Sequence, residues 1–162
     1  MKTIIYTDGS SRGNPGPGGW GAIVIGEGKA RELGGRENMT TNNRMELKGA
    51  IEALKSISNK NEIVVHSDSQ YVIKGITEWI SGWQAKGWRN AQKKAVLNRD
   101  LWEELYEATR GKDISWQYVA GHSDIAGNER CDEIATRFAD GESVPLYNGE
   151  LAKYPLGKAL TR

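Results

Sequence analysis

Four carboxylates occupy positions where solubility does not require one. Asp8 closes the run Thr3-Ile4-Ile5-Tyr6-Thr7, and Asp68 closes a second run from Ile63-Val64-Val65 through His66-Ser67. Glu46 lies between Met45 and Leu47, and Asp132 follows Cys131. Strand ends and helix starts are where α/β sheets place their sites. If the strands of Asp8 and Asp68 are parallel neighbours, their carboxylates meet within a few Å, and like charges that close cannot all stay ionised without a cation. Oxygen-only ligation by Asp and Glu suits Mg²⁺ or Mn²⁺ rather than Zn²⁺. Each acid also has a plainer reading. Asp8-Gly9 is a common turn pair, Asp68 can flank a helix start, Glu46 can belong to a capping box, and Asp132 can be a solvated helix residue.

The elements that must carry these acids follow from periodicity. Strands are expected at Thr3–Thr7, Trp20–Ile25, Ala30–Gly35, Ile63–Val65 and Ile114–Val119. The stretch Gly9 to Gly21, with its glycines, Pro15 and Pro17, is expected to be a loop. Met45, Leu47, Ile51, Leu54 and Ile57 recur at helical spacing, so a helix spans Asn43 to Ile57 with Thr41 or Asn42 as its cap. Further helices are expected from Ser69 to Ile76, Glu78 to Trp83, Asp100 to Arg110, and Ile125 to Ala139, the last starting near Asn128. A meander followed by β/α alternation argues an α/β fold with a mixed sheet flanked by helices. The segment from Asp140 to Arg162 is aperiodic and reads as an extended tail, docked or flexible.

Composition excludes several classes. The 162 residues fit one domain, and Lys+Arg 22 against Asp+Glu 21 exclude an acidic disordered chain and a uniformly basic nucleic-acid binder. One cysteine excludes an internal disulfide and a cysteine-based zinc site. No apolar run reaches the ~20 residues of a membrane span, and Thr3 to Tyr6 is too short for a signal peptide. A soluble, reduced, cytoplasmic protein without membrane attachment is expected. Gly16-Pro17-Gly18-Gly19-Trp20-Gly21 fits the dinucleotide pattern literally, but a strand rather than a helix is expected to follow, so no nucleotide cofactor is expected.

Tyr6-Thr7-Asp8-Gly9-Ser10, Gly13-Asn14-Pro15-Gly16-Pro17-Gly18-Gly19, Thr40 to Leu47, Ser67-Asp68-Ser69-Gln70-Tyr71, Gly121-His122 and Asn128 to Asp132 occur in that order. With these motifs the chain resembles bacterial type 1 ribonuclease H. The resemblance implies a ribonuclease H-like fold over residues 1–140, with 141–162 as a C-terminal tail. The implied sheet has five strands: the first three antiparallel; the first, fourth and fifth parallel. The implied activity is endonucleolytic hydrolysis of the RNA strand of RNA–DNA hybrids by two divalent metals, Mg²⁺ with Mn²⁺ as a substitute, leaving 5′-phosphate and 3′-OH ends. Asp8 would bridge both metals, Glu46 and Asp68 would hold the one on the leaving-group side, and Asp132 would help hold the one that activates water. His122 would be the mobile histidine that shuttles a proton or helps expel product, and Glu129 would assist product release. His66, within an apolar strand, is expected to be structural. Where many family members have a glycine two residues after the histidine, this chain has Asp124, another acid beside the mobile loop.

For the substrate, the segment from Ile80 to Arg99 is basic (Lys86, Arg89, Lys93, Lys94, Arg99) and contains no acid. Trp79, Trp83, Trp88 and Trp102 gather in or beside it. Packing explains most of these tryptophans, and the resemblance identifies the stretch as a basic protrusion contacting the DNA strand, with Trp79 facing deoxyribose. Thr41 would anchor a DNA phosphate. Gly9, Asn14, Asn42, Asn43 and Gln70 would read the wide minor groove and its 2′-OH groups, although such amides also serve as caps and turns. Family members often place an Asn between the positions of Trp79 and Trp83, where this chain has Ser81 and Gly82. A monomer is expected, with no room for a separate N-terminal hybrid-binding domain. Against a non-catalytic hybrid binder stand all four acids, and against an integrase stands the absence of further DNA-binding domains.

Overall fold

Alternation along the strands sets the layers. The computed structural model describes residues 2–58, 61–121 and 125–161. In chain order, β1 (Lys2–Ser11), β2 (Gly16–Gly26) and β3 (Lys29–Thr40) form an antiparallel meander. Helix α1 (Asn42–Lys55) leads to β4 (Glu62–Ser67), which pairs parallel to β1. Then come α2 (Gln70–Lys74), a π-helical stretch (Gly75–Trp79), α3 (Ile80–Ala85) and α4 (Arg99–Thr109). Strand β5 (Asp113–Tyr118) pairs parallel to β4, and α5 (Ala126–Ala139) follows. The last strand, β6 (Asn148–Glu150), pairs antiparallel with β3, and the mixed sheet runs β5-β4-β1-β2-β3-β6.

Successive residues of β2 feed opposite faces, as a period of two demands. Ala22 and Val24 join Ile5, Leu47, Ile51, Leu54, Val65, Trp102 and Leu105 under α1 and α4. Ile23 and Ile25 join Tyr6, Ala30, Cys131, Tyr154 and Leu160 on the other face, under α5 and the C-terminal segment.

Three expectations are corrected. The glycine-rich stretch is mostly hairpin rather than loop: Asp8 to Ser11 pair with Gly21 to Gly18, leaving only residues 12–15 between the strands. The glycines are there because a helix backbone lies on them. A Cβ at Gly19 would stand 2.3 Å from the Ala135 carbonyl oxygen, and one at Gly21 would stand 2.7 Å from that of Cys131. Glycine in a strand interior marks such close approach. The sheet also has six strands instead of five. Strand β6 comes from the C-terminal segment and is followed by a 3₁₀ turn (Leu151–Lys153) and the short α6 (Gly157–Leu160). The sixth strand is three residues long, too short to show alternation. Finally, the two helices expected between Ser69 and Trp83 run on as one helical path through the π-helical stretch. Among the described residues, no helix is long and apolar enough to cross a membrane.

Candidate active site

Strand β1 delivers Asp8, and the parallel register Thr7↔Ser67 sets Asp68 immediately beyond the neighbouring end of β4. Ser67 Oγ accepts from the Ser69 N–H (3.1 Å), and Ser69 Oγ accepts from Val72 N–H (3.1 Å), so the turn after Asp68 is tied into the cap of α2. Helix α1 delivers Glu46. Thr41 caps it, its hydroxyl oxygen accepting from Arg44 N–H at 3.2 Å. The helix start can reach Asp8 because residue 9 lacks a side chain: a Cβ there would stand 2.3 Å from Glu46 N. Helix α5 brings Asp132 and, one turn earlier on the same face, Asn128.

Asp8, Glu46 and Asp68 each offer an oxygen within 4.8 Å of the others. Asp8 and Glu46 are buried. Burial, then the Asp68 charge, push the Asp8 carboxyl up to about 8, with Asp132 adding and hydrogen bonds with Glu46 and the Gly9 N–H (2.8 Å) opposing. Burial, then Asp8 and Asp68, also hold Glu46 well above the usual carboxylate range. Glu46 Oε1, Asp68 Oδ1 and Asn128 Oδ1 are buried without a hydrogen-bond partner. Buried acceptors left unsatisfied are costly. An all-oxygen set of this kind, two of its orphans carboxylate oxygens, fits a hard divalent cation.

These acids open into a cleft of about 220 Å³ lined by Asp8, Gly9, Ser10, Asn42, Glu46, Asp68, Asn128, Glu129 and Asp132. Asp132 lines this cleft but stands outside the tight group of three. Glu129 is exposed at its edge. Asn128 is a cleft residue that sequence reasoning missed. Its signal is the i, i+4 spacing to Asp132, which puts both on one helical face. The chain also passes Asp68 at Gly121, where a Cβ would stand 3.4 Å from Oδ2. His122, next in sequence, and Asp124 lie outside the described residues.

A second groove adjoins the first through Asn42, which lines both. Its other walls are Ser11, Gly13, Asn14, Thr41, Asn43, Leu97 and Asn98. Asn42 Oδ1 accepts from Ser11 N–H at 3.1 Å. Leu97, 77% exposed, is another residue that sequence reasoning passes over. Gln70 is exposed at the start of α2 and lines neither groove.

The basic segment is held from within. Trp102 is fully buried, and its Nε1–H donates to the Tyr71 hydroxyl (3.1 Å). Trp83 packs on Trp102 at 5.3 Å between ring centroids, on Trp79 at 5.9 Å and on Trp88 at 6.3 Å. Trp79 is the outermost, 38% exposed. Beyond it the chain folds back through the Arg89↔Ala95 bridge, and Asn90 Oδ1 accepts from Gln92 N–H and Lys94 N–H. Arg99 lies over the Trp88 ring at 5.2 Å. Lys86, Arg89, Lys93 and Lys94 are exposed and line neither groove. His66 does not line the cleft. It stacks on Tyr6 (4.3 Å), its Nδ1 is 3.1 Å from Ile5 O, and burial lowers its pKa, as suits a packing role. Gly16 to Gly21 run inside β2 with no helix after them, so the strand–turn–helix context of a dinucleotide fingerprint is missing.

Known proteins resemble this chain in sequence and in fold. Residues 1–140 match the RNase H family. A ribonuclease H of Cyanothece sp. is 53% identical over 145 residues, covering 88% of this chain and 92% of that protein. LC9-RNase H1, a type 1 RNase H with the type 2 active-site motif, superposes with a TM-score of 0.80 at 30% identity, over 99% of this chain and 81% of its own. LC11-RNase H1, solved in complex with an RNA/DNA hybrid, shares the fold with a TM-score of 0.65 at 23% identity, over 86% of this chain and 97% of its own. By the match of residues 1–140 and the 53% identity over most of both chains, the chain belongs to the RNase H family.

Proposed function

We propose that this protein is a monomeric, cytoplasmic endoribonuclease. It hydrolyses the RNA strand of RNA–DNA hybrids and leaves 5′-phosphate and 3′-OH ends. The observation that carries this is the cluster of Asp8, Glu46 and Asp68, whose oxygens lie within 4.8 Å and include buried ones without partners. Two Mg²⁺ ions, replaceable by Mn²⁺, are the cations it would hold, with Asp8 shared between them, Glu46 and Asp68 on the leaving-group side, and Asp132 on the side of the attacking water. Bound there, the cations supply a water of lowered pKa and offset charge on the scissile phosphate and the departing 3′ oxygen.

The remaining work falls to the chain. Residues 1–140 are assigned as the catalytic unit and 141–162 as its C-terminal tail. Glu129, at the rim, is assigned to product release. His122 follows Gly121, which passes Asp68, and is assigned the proton-shuttling role that a group of pKa near 6.5 can fill. Gly9, Asn14, Asn42, Asn43 and Gln70 are assigned to the minor groove. Thr41 uses its hydroxyl oxygen as a helix cap, and its O–H proton remains available to a DNA phosphate. Trp79 and Trp83 offer an aromatic face to deoxyribose, and Lys86, Arg89, Lys93 and Lys94 pair with phosphates. The LC11-RNase H1 complex supports a hybrid as the ligand of this fold.

The test is a 5′-labelled RNA–DNA hybrid with and without Mg²⁺. Cleavage confined to the RNA strand, and abolished in Asp8→Asn, is expected. Intact RNA across Mg²⁺ and Mn²⁺ concentrations would overturn the reading.

A further inference from the structure

Of the four acids assigned to the cations, Asp8, Glu46 and Asp68 are fixed by the sheet and by α1, but Asp132 is only as well placed as α5. That helix lies on a bed of glycines. A Cβ at Gly19, Gly21 or Gly34 would strike Ala135 and Phe138, Cys131 and Ile134, or Phe138 and Ile134. Such a bed admits close approach, and toward the cleft the helix is held by Tyr6 under Gly127, by the cluster of Cys131 with Tyr6, Ile23 and Ile25, and by Cys131 Sγ–H donating to Tyr6 O at 3.3 Å.

On the flank of α5 away from the cleft, a polar tie adds a second fixing point. Arg130 is two residues before Asp132, about 200° around the helix. Its Nε donates to Glu32 Oε2 at 2.8 Å, and its Nη2 donates to Glu32 Oε1 at 2.9 Å and to Pro145 O at 3.0 Å. Glu32 sits on β3 and is buried. The same carboxylate accepts from Tyr147 N–H at 2.9 Å and from the Tyr154 hydroxyl at 2.7 Å, and Tyr154 is itself buried. One carboxylate therefore joins the sheet, α5 and the C-terminal segment, whose own place is set by the pairing of Arg31 with Asn148 and Lys29 with Glu150. Burial alone would raise the Glu32 carboxyl, but the Arg130 fork and the two tail donors outweigh it and hold it below its usual range. A surface ion pair would not engage both carboxylate oxygens twice.

We infer that Glu32, Arg130 and Tyr154 are positioning residues, which fix the roll and height of α5 on its glycine bed and thereby the place of Asp132 opposite Asp8. The C-terminal segment then contributes to cation binding from the far side of the helix. This rests on the reading of the cleft as a divalent-cation site.

The test measures Mn²⁺ binding calorimetrically on hybrid-free protein, alongside the Mg²⁺ dependence of hybrid cleavage. The variants are Glu32→Gln, which keeps the shape, and Tyr154→Phe, which removes one O–H. Leu105→Ala, in the core under α4, is the comparator for lost stability without a touch on α5. Glu32→Gln is expected to weaken Mn²⁺ binding severalfold, less than the roughly tenfold or more lost with a group bonded directly to a metal ligand, because Glu32 acts on Asp132 through α5. Tyr154→Phe should weaken it less, and the Mg²⁺ midpoint for cleavage should rise in parallel in both, with the rate largely recovered at saturating metal. Leu105→Ala should bind Mn²⁺ like the parent. Parental Mn²⁺ affinity in Glu32→Gln and Tyr154→Phe would overturn the inference. So would an equal loss in Leu105→Ala, which would mark general destabilisation. Should Glu32→Gln not fold, Tyr154→Phe decides on the same terms. A parent protein that binds no Mn²⁺ would overturn the cation reading and this inference together, whereas a parent that binds it with unchanged variants would overturn this inference alone.

Discussion

Replacing Asp8 by Asn is expected to make the metal-free protein more stable while abolishing cleavage. Asp8 is 4% exposed, and burial together with the Asp68 charge lifts its carboxyl to about 8. In the unfolded chain an Asp titrates near 3.9. The sign follows from the direction of the shift. Below the unfolded value both states are protonated and nothing is lost. As pH rises from about 4 to about 8, the unfolded chain gives up its proton freely while the folded one resists, so folding weakens across that window and levels off above it. Integrated, the penalty is on the order of 1 kcal/mol at pH 4.5 and on the order of 4 kcal/mol at pH 7. The amide that replaces the carboxylate is still a buried polar group and loses the hydrogen bond with Glu46, so the measured gain at pH 7 should fall short of the full figure, at roughly 2 kcal/mol. The amide introduced by Asp8→Asn is isosteric with the carboxylate and keeps an oxygen for the Gly9 N–H. The assay is urea unfolding in EDTA at both pH values. The gap between variant and parent should widen with pH, and Mg²⁺ should narrow it by stabilising the parent. A gap at pH 7 no larger than at pH 4.5 would refute the reasoning.

Other expectations concern packing and charge. A Cβ at residue 75 would stand 1.9 Å from Trp102 Cη2, so Gly75→Ala should cost about 1–3 kcal/mol by thermal or urea unfolding, as overpacking does. A Cβ at residue 9 meets the backbone of Met45 and Glu46 at 2.3 Å, so Gly9→Ala should shift α1 and lower cleavage about 100-fold at saturating metal. Lys93→Ala and Lys94→Ala should each lower the salt slope of hybrid binding by about 1, read from binding isotherms over a range of KCl, with the kinetic loss falling on KM rather than kcat. A flat salt dependence in the parent would refute phosphate pairing by this segment.

The short apolar runs of β1, β2 and β4, the alternation of Trp116 and Tyr118 in β5 and the 3-and-4 spacing from Met45 to Leu54 marked the strands and the helix, because burial on two faces leaves a continuous run and burial on one face a periodic one. The placement of Asp8 and Asp68 at strand ends was likewise visible, and motif order pointed to the family. Two features had no such trace, and a third had one that does not single it out. The glycines between Gly9 and Gly21 read locally as a loop, because local sequence records flexibility but not that a helix from residues 126–139 will lie on those positions. Strand β6 is too short for periodicity and forms because β3 offers it an edge. Asn128 looked like any polar helix residue until α5 turned it, with Asp132, into the cleft. The neutral total of 22 basic against 21 acidic residues hid the most important separation: buried carboxylates gathered at one end of the sheet, exposed lysines on a segment propped up by tryptophans. Residue types and spacing could say which groups would repel one another. How close they are forced to stand depends on strand register and helix approach, which arise only when segments far apart in the chain meet.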